Sequence, residues 1–184
     1  KSGQKYIPSS AMATMGFSLP AAIGIAVATE NRVLALTGDG SFQQNIQELQ
    51  TIVEYKLPIK LFVLNNGGYE SIRVSQKNYF ENRFLGESVQ SGVSFPDTMK
   101  IGEAYGIKVV RITKMEELND KLKDVLDYDG AVICEVIIPK DQEIIPTVSS
   151  KVNPDGTMSS RPLEDMYPFL EREEYKENLF VDEI

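Results

Sequence analysis

Short apolar runs alternating with longer segments of helical period constrain the fold of this chain more than anything else in its sequence. Val33-Leu34-Ala35-Leu36-Thr37, Ile59 to Leu64, Lys108 to Ile112 and Ala131 to Ile138 each read as a buried strand. Ser18 to Glu30, Phe42 to Lys56, Tyr69 to Phe80, Pro96 to Tyr105 and Met115 to Leu126 read as helices. In the first of these, Leu19, Ala22, Ile23, Ala26 and Val27 share one side, and Pro20 suits a first turn. In the second, Ile46, Leu49, Ile52 and Val53 recur at helical spacing and Pro58 marks the stop. Strands separated by helices of this length pair in parallel through crossover connections, with both sheet faces covered. The predicted class is α/β, a doubly wound parallel sheet with helices on both faces. Residues 1–145 form the predicted domain. Prolines at 146, 154, 162 and 168 and a polar stretch from Ser149 to Ser160 mark residues 146–184 as a surface tail, with one short helix over Leu163 to Leu170.

Composition removes whole classes of chemistry. The 184 residues contain no histidine and one cysteine, which excludes serine-histidine triads, cysteine-histidine dyads and histidine-based zinc sites. Cys134 lies inside an apolar run and reads as an inert buried thiol. A net charge of −8 opposes nucleic-acid or anionic-membrane partners. No disulfide pair, bilayer-length apolar stretch or signal peptide is evident, so a cytoplasmic location is expected. The chain starts at Lys1, and an excised piece of a larger protein is the expectation.

In an open parallel sheet, ligands bind outside the carboxyl ends of the strands. Two of these ends carry polar clusters. Gly38-Asp39-Gly40-Ser41 combines glycines that admit close backbone approach with amides that can receive an anion, yet Asp39 would repel that anion. Asn65-Asn66-Gly67-Gly68 offers amide oxygens and carbonyls. Between Gly40 and Asn65 lie 24 residues, the length of one helix plus one strand, so both clusters can return to the same sheet edge. A magnesium ion would resolve the conflict, drawing oxygens from Asp39, an asparagine amide, a backbone carbonyl, phosphate and water. Alone, Gly38-Asp39-Gly40 is ordinary turn chemistry, and Asn66-Gly67 is a hairpin signal. A hairpin needs a strand on each side, however, and the segment after Gly68 looks helical.

Gly38-Asp39-Gly40, 24 residues, then Asn65-Asn66 resembles the magnesium-diphosphate motif of thiamine-diphosphate-dependent enzymes. Ala13 to Gly24, Ser41-Phe42, Gln47-Glu48-Leu49 and Ala104-Tyr105-Gly106 extend the likeness to acetolactate synthases and their relatives, over Tyr6 to Pro139. The resemblance implies thiamine diphosphate and Mg2+ as cofactors, with Asp39, the Asn66 side chain and the Gly68 carbonyl as metal ligands. Gly38 belongs to the same motif; Gly40 and Ser41 would meet the diphosphate through backbone amides, with Tyr69 and Glu70 lining that end. Met15, otherwise a plain core methionine, would wedge the cofactor into its bent shape, and the Ala13 carbonyl would accept from its aminopyrimidine.

Such enzymes are transferases or lyases that decarboxylate a 2-oxo acid and can ligate the product to an acceptor. The glutamate that activates the cofactor belongs to a pyrimidine-binding domain, usually of a neighbouring subunit. No segment here resembles that domain, and Glu48, Glu54 and Glu70 do not read as the activator. The implied assembly is a homodimer or homotetramer, with no catalytic residue in this segment. Ser71 and Ile72 would border the substrate pocket. The absence of tryptophan departs from the biosynthetic acetolactate-synthase pattern, leaving the acceptor open. A simple 2-oxo acid decarboxylase and a non-catalytic cofactor-binding module are the alternatives. The tail reads either as a loosely packed terminus or as a lid.

Overall fold

Each of the four apolar runs is a strand of one parallel sheet. The computed structural model describes residues 3–9 and 12–180, in two units, Lys1–Asp141 and Gln142–Ile184. The first unit runs α1 (Ser18–Thr29), β1 (Val33–Gly38), α2 (Asp39–Phe42), a 3-10 stretch (Gln43–Glu48), α3 (Leu49–Glu54), β2 (Ile59–Asn65) and α4 (Glu70–Tyr79). It continues through a 3-10 turn (Val89–Ser91), α5 (Thr98–Ala104), β3 (Lys108–Ile112), a second 3-10 turn (Met115–Glu117), α6 (Leu118–Asp127) and β4 (Val132–Ile137). The sheet order is β1-β2-β4-β3.

Alternation along the strands divides the core between the two faces. Ile59, Leu61 and Val63 of β2, with Ala35 and Ile133, pack against Leu19, Ala22 and Ala26 of α1, Leu49 and Ile52 of α3, and Ile101 of α5. Val132 and Cys134 of β4, with Phe62 and Val110, pack against Leu122 and Val125 of α6 on the other face. Each fully buried aliphatic side chain contributes about 1.5–3 kcal/mol relative to exposure. The second layer is incomplete over β1, where Leu34 and Leu36 remain 47% and 60% exposed. Burial pushes the Cys134 thiol up to about 11, which makes it a poor nucleophile. Lys60, buried within β2, is accommodated because its ammonium donates to the carbonyls of Tyr128 (2.6 Å) and Gly130. Among the described residues, no helix is long and apolar enough to cross a membrane.

Two sequence expectations need correction. The segment expected as one helix from Phe42 to Lys56 begins at Asp39 and is interrupted by the 3-10 stretch, where Asn45 leaves helical geometry (φ −139°, ψ 30°). Its side chain is held instead by the Gly16 carbonyl, 2.7 Å from Nδ2.

The region after Gln142 is also more than a surface tail. Within it, β5 (Thr147–Val148) pairs antiparallel with β8 (Met166–Tyr167), and β6 (Ser150–Val152) with β7 (Met158–Ser160). The β6–β7 turn is set by Asp155, which accepts from the Thr157 amide at 2.9 Å, and by Gly156 at φ +83°. Among the described residues its one helix is α7 (Arg172–Glu177), so the expected helix over Leu163 to Leu170 is absent. Pro168 cannot donate a helical hydrogen bond, and Asp165 is drawn into ion pairs with Arg161 and Arg172.

Candidate functional site

Parallel register alone brings the two polar clusters together. Gly38, the last residue of β1, lies beside Leu64 of β2, so the next residues of both strands leave the sheet side by side. Asp39 follows immediately and is only 3% exposed. Its Oδ1 accepts from the Gly40 amide and its Oδ2 from the Gly68 amide, both at 3.0 Å. Burial raises its pKa above the usual carboxylate value, against the opposing pull of these backbone amides. Among the described residues, no lysine or arginine pairs with it.

The two adjacent asparagines have different duties. Asn65 is fully committed: Nδ2 donates to Glu135 Oε1 (2.7 Å), and Oδ1 accepts from the Gly67 amide (2.9 Å), which turns the chain out of β2. Asn66 donates through Nδ2 to Glu70 Oε2 (3.1 Å), but its buried Oδ1 has no hydrogen-bond partner among the described residues. A buried acceptor left unmatched costs roughly 1–3 kcal/mol. An oxygen kept in that condition, two residues before the Gly68 amide that donates to buried Asp39, suits a hard cation.

Two glycines permit the close approach. A Cβ on Gly68 would stand 2.1 Å from the Glu87 carbonyl oxygen, and one on Gly40 would stand 2.3 Å from the Tyr69 ring. Tyr69 is itself packed edge-on against Phe95, with centroids 5.2 Å apart, and its amide donates to the Glu87 carbonyl. The loop is braced by buried Arg73, whose Nε donates to Glu87 Oε2 (2.6 Å) and whose Nη1 donates to Glu70 Oε2 (2.7 Å) and to the Lys140 carbonyl. For Glu70, burial first, with the nearby charges of Asp141 and Glu87, raises the pKa against the opposing pull of Arg73. For Glu87, burial acts upward, but the Ser88 hydroxyl and Arg73 prevail and hold the carboxyl below its usual value.

The segment before α1 is tied to the same end. The Gly16 amide donates to the Ser41 hydroxyl (2.9 Å), and Gly16 has φ +82°, with a Cβ position 2.6 Å from Asn45 Nδ2. Ala13 holds a left-handed conformation (φ +44°), unusual for a residue with a Cβ. Met15 is 48% exposed and therefore not a core methionine. Ser71 is exposed and Ile72 half-buried in the first turn of α4.

Sequence reasoning missed Asn45, Arg73, Glu87, Phe95 and Glu135. The Glu70–Arg73 spacing of three residues was a readable helix-pair signal. Glu87 lies in a loop and offered none.

Fold and site define an α/β domain of the class that binds its cofactor outside the carboxyl ends of parallel strands. The model of the family described as "Thiamine pyrophosphate enzyme, C-terminal TPP binding domain" matches residues 1–136, and the chain belongs to this family. Among its relatives is the acetolactate synthase large subunit of Cyanidium caldarium, 34% identical over 146 residues, 79% of this chain and 25% of the relative. That of Porphyra purpurea is 37% identical over 145 residues, 78% and 24% of the two chains. The chloroplastic acetolactate synthase of Arabidopsis thaliana is 34% identical over 155 residues, 82% and 23%. The chain thus spans about a quarter of the length of these relatives.

Proposed function

We propose that this domain holds the diphosphate end of thiamine diphosphate through Mg2+ in an enzyme of the acetolactate-synthase kind, which decarboxylates a 2-oxo acid and ligates the product to an acceptor. The observation that carries the reading is the unpartnered, buried Asn66 Oδ1 on the same loop as Gly68, whose amide donates to Asp39. Asp39, Asn66 Oδ1 and the Gly68 carbonyl would hold the ion. One carboxylate, one amide oxygen and one carbonyl are the hard oxygen donors that Mg2+ selects, with phosphate and water left to complete six.

Thiamine diphosphate, when bound, supplies an electron sink for decarboxylation. The residues of this chain bind and orient. Gly38, Gly40 and Ser41 are assigned to the diphosphate end, Gly40 and Ser41 through backbone amides, the Gly40 amide being held by Asp39 Oδ1 in the metal-free domain, while Tyr69 and Glu70 shape the edge of that site. Ala13 and Met15 are assigned to the aminopyrimidine end; the left-handed Ala13 and the exposure of Met15 support that assignment. Ser71 and Ile72 are assigned to the substrate pocket. The activating glutamate is assigned to a pyrimidine-binding domain of a neighbouring subunit, in a homodimer or homotetramer. Nucleic acid and membrane are not among the proposed partners. The lone buried Cys134 supports a reducing compartment, with the cytoplasm as the first choice.

Calorimetric titration of the complete protein with thiamine diphosphate, with and without Mg2+, tests this reading. Binding is expected to require Mg2+ and to disappear in Asp39→Ala, and pyruvate is the first substrate to assay. Product without ligation would mark a simple decarboxylase. Binding without turnover of any 2-oxo acid would mark a non-catalytic module, and absence of Mg2+-dependent binding would overturn the cofactor assignment.

A further inference from the structure

We infer that Glu70 is a positioning residue that selects which end of the Asn66 side-chain amide faces the cation, and that Arg73 and Glu87 hold Glu70 in place for that task. The inference rests on the reading of Asn66 as a metal ligand. An asparagine amide is nearly symmetrical in shape but not in chemistry: its oxygen can bind a cation, whereas its NH2 group presents two donors that repel one. Something must therefore choose between two orientations of similar bulk.

The choice is visible at the other end of the amide. Asn66 Nδ2 donates to Glu70 Oε2 at 3.1 Å, which leaves Oδ1 as the atom that points away, buried and unpartnered. An ionised carboxylate only accepts, so Glu70 is satisfied by the NH2 end of Asn66 and repelled by the oxygen end. The same Glu70 oxygen takes a second hydrogen bond from Arg73 Nη1 at 2.7 Å. Arg73 is fixed in turn by Glu87 Oε2 at 2.6 Å and by the Lys140 carbonyl. Glu87 also accepts from the Ser88 hydroxyl, and its carbonyl lies where a side chain on residue 68 would begin. A single relay, from buried Glu87 and Arg73 to half-buried Glu70 and Asn66, thus controls the amide orientation and lies against the Gly68 backbone.

The test measures Mn2+ affinity in the complete protein with thiamine diphosphate present, read from the electron paramagnetic resonance signal of free Mn2+. Loss of an orienting outer partner typically weakens metal binding by about 10–100-fold, and Glu70→Ala is expected to fall in that range. Glu70→Gln, which keeps an acceptor but can also offer an NH2 group, is expected to lose less. The deciding background is Asn66→Asp, where both side-chain ends are oxygens and nothing remains to be oriented. There, Glu70→Ala is expected to leave Mn2+ affinity unchanged or raise it. An equal loss in both backgrounds would mean that Glu70 acts through its charge or through the fold, and would overturn the inference. Should Glu70→Ala fail to fold, Glu70→Gln carries the same comparison, with its loss again confined to the asparagine background. Failure of the underlying reading looks different: Asn66→Ala would then leave Mn2+ affinity intact.

Discussion

Asp39 and Asp165 are buried almost equally, 3% and 5% exposed, yet their surroundings treat them in opposite ways. Asp165 meets a fork of Arg172 nitrogens at 3.0 and 3.1 Å and Arg161 at 2.6 Å. The Arg172 hydrogen bonds, ahead of the opposing effect of burial, hold its carboxyl below the usual value. Among the described residues Asp39 receives only backbone amides, and burial drives its pKa up. A buried carboxylate saturated by arginines staples its own region together. One buried without a cation is an unfavourable arrangement in isolation, and it gains its value when a cation arrives.

The strongest way to break this comparison is Asp39→Ala. Its effect on Mg2+-dependent cofactor binding is expected to exceed the roughly 10–100-fold loss typical of an outer partner, while the metal-free protein keeps its melting temperature or gains. Calorimetry and thermal unfolding in chelator check the two halves. A large loss of metal-free stability would make Asp39 a staple like Asp165.

Gly68→Ala comes next. Its Cβ would meet the Glu87 carbonyl at 2.1 Å, and since backbone has to move, about 1–3 kcal/mol of stability should be lost along with metal affinity. Urea unfolding with and without Mn2+ gives both numbers.

Asp165→Asn should cost about 1–2 kcal/mol, less than a deeply buried pair, because Arg161 and Arg172 are 27% and 45% exposed and can recover water. Hydrogen exchange over residues 142–180 would register the loss, with cofactor binding unchanged by it as the outcome that keeps the two aspartates distinct.

The smallest effect is in pH. Asp165 has a depressed folded pKa, so its stabilisation is present above the unfolded value near 3.8 and disappears as pH falls through the lower folded value. Asp39 has a raised folded pKa, so its ionised form weakens the metal-free fold at neutral pH, and that penalty is relieved as pH falls through the raised value. Protons also compete with the metal there. Mn2+ affinity should therefore decline on acidification at a pH where Asp165 is still ionised, a separation that affinity and unfolding titrations can resolve.

Much of the first unit was legible because its information is local. Apolar runs of strand length at 33–37, 59–64, 108–112 and 131–138 fall on the four observed strands, and the 24 residues between Gly40 and Asn65 return the chain to the same sheet edge. Asn45 escaped the helical reading because its partner is Gly16, 29 residues earlier. The region around Asp165 escaped because two- and three-residue strands carry no periodic signal, and the ion pairs that organise it join residues whose separation implies no particular geometry.

By itself, then, the sequence determined the parallel α/β architecture, the exclusion of histidine and thiol chemistry, and the return of Asp39 and the Asn65-Asn66 pair to one sheet edge. These follow from side-chain period, composition and segment length. Only the tertiary structure decided that Asn65 is used up in shaping the loop while Asn66 keeps a free oxygen, and that Arg73 and Glu87 brace it. Whether a polar atom is satisfied depends on groups brought from as far as 70 residues away, and that information exists only once the chain has closed on itself.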